Sequence, residues 1–520
     1  RGCMSGKLIG TKWIITLTVM TGTIMSAIDT SIVNVALPVM RSTLGASVEE
    51  ITWVSTGYIL SNVIIMPIVA LLSSRFGRKR FYMFSVLLFT CASMLCGLAG
   101  SLGSIVFFRI VQGIGGGALI PVSQAILRET FPPKEQAMAM GLYGIGVILG
   151  PAIGPTLGGW LTDNYSWPWI FYINVPIGIL NILLVMRFIE DPPYLLREKG
   201  TIDLAGLLFM SIGLGALQIM LEKGEQKDWF SSNFIITLAV ISSVGLMAFT
   251  WRELTTDRPA VNLKILKDIN FTSATFLGGI LGLALMGSLF LLPLLLQQLL
   301  GFPAFDSGLA LLPRSIAMAI SMPIGGRLYN RFGPRMLIGT GLAVNALSFY
   351  EFSCLSLDMG YWDIFLPQFL QGIGFGLIFV SLSTAALSSV EKPLMTAATG
   401  LYNVIRQVFG SIGIAVSATL LTQGENWNRA VLVKNINAFS DIASGTLDGF
   451  WPYLVTRGVN PFVAKTMALK MMDGFILQQA SMLSYNHVFS LIAILFLCSI
   501  PLIIFIKDAR LDMGKDVVTD

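Results

Sequence analysis

A single histidine, His487, stands in 520 residues, which removes histidine-based catalysis and most zinc chemistry, since both need imidazole as base or ligand. The five cysteines show no ligand spacing, and Cys91, Cys96 and Cys498 sit inside apolar runs where a thiol acts as a small hydrophobe. No metal or cofactor is expected. Charge is scarce as well: Asp, Glu, Lys and Arg make up 12% of the chain, against roughly a quarter in a soluble domain. The pattern G-x-x-x-x-G-K-[ST] is absent, so energy is not drawn from ATP by this chain. What is abundant is apolar surface, 54% before the 52 glycines are counted, spread from end to end. That composition excludes a soluble enzyme, a disordered chain and a disulfide scaffold, and indicates a polytopic membrane protein. The net charge is +5. Its basic residues lie in short loops beside apolar runs, so a membrane surface explains them and a nucleic-acid partner is not expected.

A membrane helix needs about 20 mostly apolar residues. Fourteen such runs begin near Trp13, Thr52, Phe81, Ser104, Met138, Ile170, Leu204, Phe234, Phe271, Ser307, Met336, Asp363, Thr396 and Val488. The expected fold class is therefore all-α, with 14 transmembrane helices. The first run is long and carries Asp29, so it reads as a retained span rather than a cleaved leader. An even count puts both termini on one side. Lysine and arginine in the short loops fall overwhelmingly on that side, with only Arg41, Lys223 and Lys227 opposite, which predicts cytoplasmic termini. The one long connection, residues 423–486, groups Phe450, Trp451, Tyr453 and Leu454 and reads as short helices on or near the outer surface.

The chain repeats itself. Arg75-Phe76-Gly77 recurs as Arg331-Phe332-Gly333 at an offset of 256, while Gln112-Gly113-Ile114-Gly115 recurs as Gln371-Gly372-Ile373-Gly374 and Gly141-Leu142-Tyr143 as Gly400-Leu401-Tyr402 at 259. Spans 1 to 6 thus correspond to spans 9 to 14, with spans 7 and 8 inserted. The predicted domains are residues 13–189, a six-helix bundle; 190–260, the inserted pair; and 261–507, a second six-helix bundle with the outer segment 423–486. Parallel repeats of this kind place a substrate site between the halves and transport by rocking. Gly113 to Ala118 also fits a dinucleotide-binding pattern, but it lies in an apolar span and follows no strand.

Several stretches together carry a family resemblance: Asp29 to Pro38 in span 1, the Arg75 to Arg80 loop, Arg109 with Gln112-Gly113, the Gly-Pro run of span 5, Trp169 to Pro176, Asp228-Trp229-Phe230, and Asn403 to Arg406-Gln407. In these the chain resembles the major facilitator superfamily, and within it the fourteen-span drug:H+ antiporters of the EmrB type. The resemblance implies a proton-coupled antiporter exporting lipophilic drugs and toxic small molecules across a bacterial inner membrane. It also implies partners, a periplasmic adaptor and an outer-membrane channel, for which residues 423–486 are the obvious surface. The same fold would serve export of a specific metabolite or a siderophore; a non-transporting receptor is the reading from another class.

Ionisable residues inside spans are costly and normally mark a pathway. Asp29, Arg109, Arg314 and Arg406 are the clear cases. Asp29 is the candidate proton carrier, because burial raises and a nearby cation lowers a carboxylate's pKa; the competing reading is a permanent ion pair with an arginine. Arg109 resembles the span 4 arginine that the family associates with proton coupling, and its repeat counterpart is Gln368. By depth and resemblance, Asn34, Gln112, Gln297, Gln298, Gln371 and Asn403, with Arg406 and Gln407, are candidates to line a substrate cavity. Three arginines against one acid suit neutral, anionic or weakly acidic compounds better than dications. Gly146, Gly150, Gly154 and Gly158 recur every fourth residue and permit close helix contact; with Pro151 and Pro155 they resemble the antiporter motif. Arg75, Gly77 and Arg78 belong to a loop that would gate by touching neighbouring helix ends. Ser74 stands where the family has aspartate.

Overall fold

A computed structural model describes residues 2–191, 203–256, 259–434, 436 and 441–507, which are helical with no strand among them. Arg1, Arg197, Lys199, Arg258, Arg510 and Lys515, six of the residues behind the charge bias, lie outside the described residues. In hydrocarbon every backbone polar group must be satisfied within its own segment, so long apolar runs become helices. These are α1 (Gly2–Leu44), α2 (Val48–Phe76), α3 (Arg78–Gly97), α4 (Leu102–Thr130), α5 (Pro133–Asn164), α6 (Trp169–Phe188), α7 (Leu204–Lys223) and α8 (Asn233–Thr255). There follow α9 (Ile269–Leu299), α10 (Ala304–Phe332), α11 (Pro334–Ser353), α12 (Tyr361–Ser388), α13 (Met395–Lys434), α14 (Asp441–Thr456) and α15 (Pro461–Ser499). Thirteen are long and apolar enough to cross a membrane. The fourteenth span is α11, 20 residues whose Arg335, Asn345 and Glu351 dilute its hydropathy, packed between α12 and α15.

The repeat governs the packing. Pairs α1/α5, α2/α4, α3/α4 and α3/α6 recur as α9/α13, α10/α12, α11/α12 and α11/α15. Gly77 and Gly333 end α2 and α10 with φ of 87° and 80°, a conformation that glycine adopts without strain. The register is checked by close approaches: a Cβ on Gly113 would strike the Tyr58 carbonyl, and one on Gly372 would strike the Arg314 carbonyl. Tyr58 and Arg314 are separated by the predicted 256 residues. The inserted helices α7 and α8 cross where Gly213 meets Gly245, and α7 leans on α2 and α13.

The described chain begins and ends on one face, termed basal. Lys12 pairs with Glu135 (3.3 Å), Asn330 donates to the Lys134 carbonyl (2.6 Å), and Arg335 donates to the Ile506 carbonyl (2.7 Å). The two bundles are joined towards this face. Arg78 bonds Thr396 (2.9 Å) and Asn403 bonds Gln124 (2.8 Å) across the seam. Gly141 lies against the Met322 carbonyl, Gly326 against that of Ala137 and Gly400 against that of Met66, each so closely that a Cβ would fall within 2.7 Å.

The segment 423–486 departs from expectation. Among its described residues only α14 is a short helix. Instead α13 and α15, of 40 and 39 residues, run about 60 Å each, twice a bilayer's hydrocarbon thickness. Nothing in 423–434 or 461–486 breaks a helix, and Gly424 is filled by Ser484 against it. Their distal ends therefore rise as a projection, braced by Arg429 to Asp473 (2.7 Å) and Asn428 to Ser484 (2.9 Å). On it α14 folds back: Leu454 packs with Ala464 and Ala468, and the Phe450 and Phe475 rings stack at 5.6 Å. Of the cluster, Phe450 and Leu454 thus form the underside of α14, while Trp451 and Tyr453 remain exposed. Leu454→Asp should release α14, seen as several-fold faster tryptic cleavage at Arg457 with the rest of the chain protected; unchanged cleavage would refute this packing.

Candidate functional site

Asp29 sits midway along α1 and is fully buried. Arg109 and Gln112 are one turn apart on α4, so both reach the same face. Arg109 Nη1 donates to Asp29 Oδ2 at 2.6 Å, while Asp29 Oδ1 accepts from Gln112 Nε2 at 2.8 Å and Asn174 Nδ2 at 3.1 Å. The guanidinium also has neutral partners: Nε donates to the Val54 carbonyl (3.1 Å) and Nη1 to Gln112 Oε1 (2.8 Å), and its centre lies 4.3 Å from the Tyr58 ring centroid. Behind it, Asn174 donates to Ser93, whose hydroxyl donates to the Phe171 carbonyl. The result is a net-neutral cluster, sealed among α1, α2, α3, α4 and α6. All its donors to Asp29 are groups that hold their protons, so the carboxylate is fitted in its ionised form.

The glycines of α5 serve this cluster. Cβ atoms on Gly150 and Gly154 would collide with Ala27 and Ser31, those on Gly146 and Gly158 would crowd Ile24 and Ile32, and Ser31 donates to the Gly150 carbonyl (2.8 Å). They bring α5 against the turns of α1 on either side of Asp29. Pro155 is exposed; Pro151 lies on the same helix, but its side chain is outside the described residues.

The predicted cavity residues separate into groups. Asn34 is exposed on α1, distal to Asp29, and accepts from Ser55 (2.9 Å); Gln297 and Gln298 are exposed in a π-turn at the distal end of α9, with Gln297 donating to Ser307 (3.2 Å). Gln112 and Gln371 are fully buried inside opposite bundles. Asn403 is at the seam between halves, accepting from Arg406 (3.1 Å), which lies 5.3 Å from the Phe379 ring; Gln407 is half-buried beside them. In the loop, Arg75 is exposed, whereas Arg78 is buried in an ion pair with Glu129. Asp191, which accepts from the Lys79 amide (2.7 Å), closes over Gly77. Carboxylates from two distant points thus serve the loop whose own position 74 lacks one. Sequence reasoning missed Asn174, Glu129 and Asp191. An asparagine opening an apolar span was the visible signal for the first; the other two lie at helix ends, where acids are commonplace.

The family model for the Major Facilitator Superfamily matches residues 19–414, which takes in the Asp29 cluster, the Arg75 to Arg80 loop and the seam. The chain belongs to the major facilitator superfamily. Within the superfamily it groups with EmrB-type members: it is 35% identical to the multidrug export protein EmrB of Escherichia coli over 499 residues, 95% of each chain. It is 34% identical to the fatty acid resistance protein FarB of Neisseria gonorrhoeae over 493 residues, 94% of this chain and 95% of that one. The fold is that of the human organic anion transporter MFSD10 (TM-score 0.60, 13% identity, 95% of this chain and 99% of that one). As a superfamily member this chain is a membrane transporter and not an enzyme.

Removing one member of a buried ion pair strands the other and typically costs about 3–5 kcal/mol. Asp29→Ala should therefore lower thermal stability in detergent sharply, and adding Arg109→Met should recover part of the loss. A double variant no more stable than the single would contradict the pairing.

Proposed function

We propose that the chain is a proton-driven antiporter that exports lipophilic small molecules across the inner membrane of a bacterium. The observation that carries this reading is the sealed Asp29–Arg109 pair, in which the cation has neutral partners in reserve. In the sequence of events proposed, a proton from the distal compartment neutralises Asp29. Arg109 then falls back on Gln112 Oε1, the Val54 carbonyl and the Tyr58 ring. The tie between α1 and α4 weakens, and α5, locked to α1 by its glycines, carries the change to the α5/α10 seam. Substrate entering from the basal side is exchanged for the proton. Asn34, about 7.5 Å further along α1, and its donor Ser55 on α2 mark the distal approach to Asp29.

The basal face is assigned to the cytoplasm by the lysine and arginine bias. With the basal seam held by Arg78 and Asn330, the conformation is then one that faces outward. Multidrug export in the relative named above supports a broad lipophilic substrate range. An apolar cleft of about 240 Å³ between α7, α8 and α13, lined by Leu214, Phe249, Val404 and Phe409, suits such compounds. The projection formed by α13, α14 and α15 is the proposed seat of a periplasmic adaptor that leads to an outer-membrane channel.

In proteoliposomes loaded with a pH dye, adding substrate should move protons, and Asp29→Asn should abolish that flux. Undiminished flux would remove Asp29 from the coupling, and no flux with any compound would favour a receptor. Replacing residues 441–456 with a flexible linker should end co-purification with an adaptor while the chain stays inserted; retained binding would exclude this surface.

A further inference from the structure

Where the first bundle holds Asp29, the second holds Ser288. The two are 259 residues apart, the offset that also relates Gln112 to Gln371 and Arg109 to Gln368. Their bonds agree. Asp29 accepts from Arg109 and Gln112, while Ser288 Oγ accepts from Arg314 Nη1 (3.1 Å) and donates to Gln371 Oε1 (3.2 Å). The cation itself has changed helix: Arg314 on α10 stands where Tyr58 stands on α2, each with its carbonyl against the matching glycine, Gly372 or Gly113. The second cluster thus keeps a guanidinium and has a hydroxyl in place of the acid, and no Asp or Glu occurs anywhere along Ile269–Leu299.

Arg314 is 3% exposed, and its Nη1 donates to two neutral oxygens, Ser288 Oγ and Gln371 Oε1 (3.2 Å). Among the described residues no carboxylate pairs with it, and its Nε and Nη2 have no acceptor. Gln371 Oε1 takes two donors, which leaves Nε2 as the free end of that amide, and Nε2 is buried without a partner. Both polar atoms of Gln368, one turn earlier on the same face of α12, are buried without partners as well. A guanidinium does not escape burial by losing its proton, and an uncompensated charge at this depth is costly. The cluster therefore has N–H groups to spare and lacks one negative charge. Because it is closed within a single bundle, a monatomic anion, which accepts from several directions and needs no orientation of its own, meets that need in the least volume. We propose that Arg314, with Gln368, Gln371 and Ser288, holds a chloride ion that stands in for the carboxylate built into the first bundle. The ion is a resident counter-ion and not the exported species, and it ties α9, α10 and α12 together.

The test is the melting temperature of the purified full chain in nanodiscs as chloride replaces gluconate at constant ionic strength. In the wild type it should rise saturably with chloride, and with bromide, as mass action requires of a ligand held by the folded state alone. Ser288→Asp, which restores a carboxylate beside Arg314, should melt in gluconate close to the wild type's chloride-saturated value and need about tenfold more chloride, or more, for half of any remaining response. Arg314→Gln should lose the response too; if it fails to fold, Ser288→Asp decides the matter. A chloride response in Ser288→Asp equal to that of the wild type would overturn the proposal, as would a wild type that melts at the same temperature in chloride and gluconate. A rise with acetate and none with chloride would give the site to a small carboxylate and overturn the halide assignment. None of these readings involves movement of protons or substrate, so failure here is distinct from failure of the antiport reading, which the proteoliposome flux decides.

Discussion

Charge must be balanced inside a low-dielectric membrane body, and the Asp29–Arg109 pair is where this chain does so most completely. Five helices contribute to that balance: α1 the acid, α4 the cation and an amide, α2 a carbonyl and an aromatic face, α6 an amide, and α3 the hydroxyl of Ser93 behind it. Each constrains the rotation of its helix, since turning any of them would leave a buried polar group without a partner. The glycine face of α5 then has only one place to go, against the turns of α1 that flank the acid. The order of the first bundle follows from satisfying one carboxylate.

The second bundle keeps the frame but not the balance. Gly372 packs on α10 as Gly113 packs on α2, and Gly374 meets α11 as Gly115 meets α3. The same backbone contacts therefore hold Arg314 and two glutamines in a space where the first bundle holds a completed ion pair. Duplication preserved the helix crossings, which depend on small residues, and let the polar fillings diverge.

Much of this was legible in the chain. Length and hydropathy revealed the spans, and the recurrence of Arg-Phe-Gly at 75 and 331 revealed the halves, because helices in lipid are specified by composition and tight turns by glycine. The pairing of Asp29 with an arginine was foreseen as an alternative; that Gln112 would belong to it, and not to an open cavity, was not. Residue type cannot tell whether a glutamine's amide faces water or a buried acid 83 positions away. Asn174, Glu129 and Asp191 were missed for the same reason, since each acts only across a long separation in sequence. The projection was misread because a connection rich in polar residues is easily taken for loops, although its uninterrupted helical stretches were in plain view.

The continuity of α13 and α15 has a mechanical consequence. Each is a single rod rooted in the second bundle and continuing without a break into the distal projection. Rods of that kind behave as pointers, magnifying at their tips any pivot at their base. Any tilt of the second bundle is therefore largest at the level of α14, which folds back on α15.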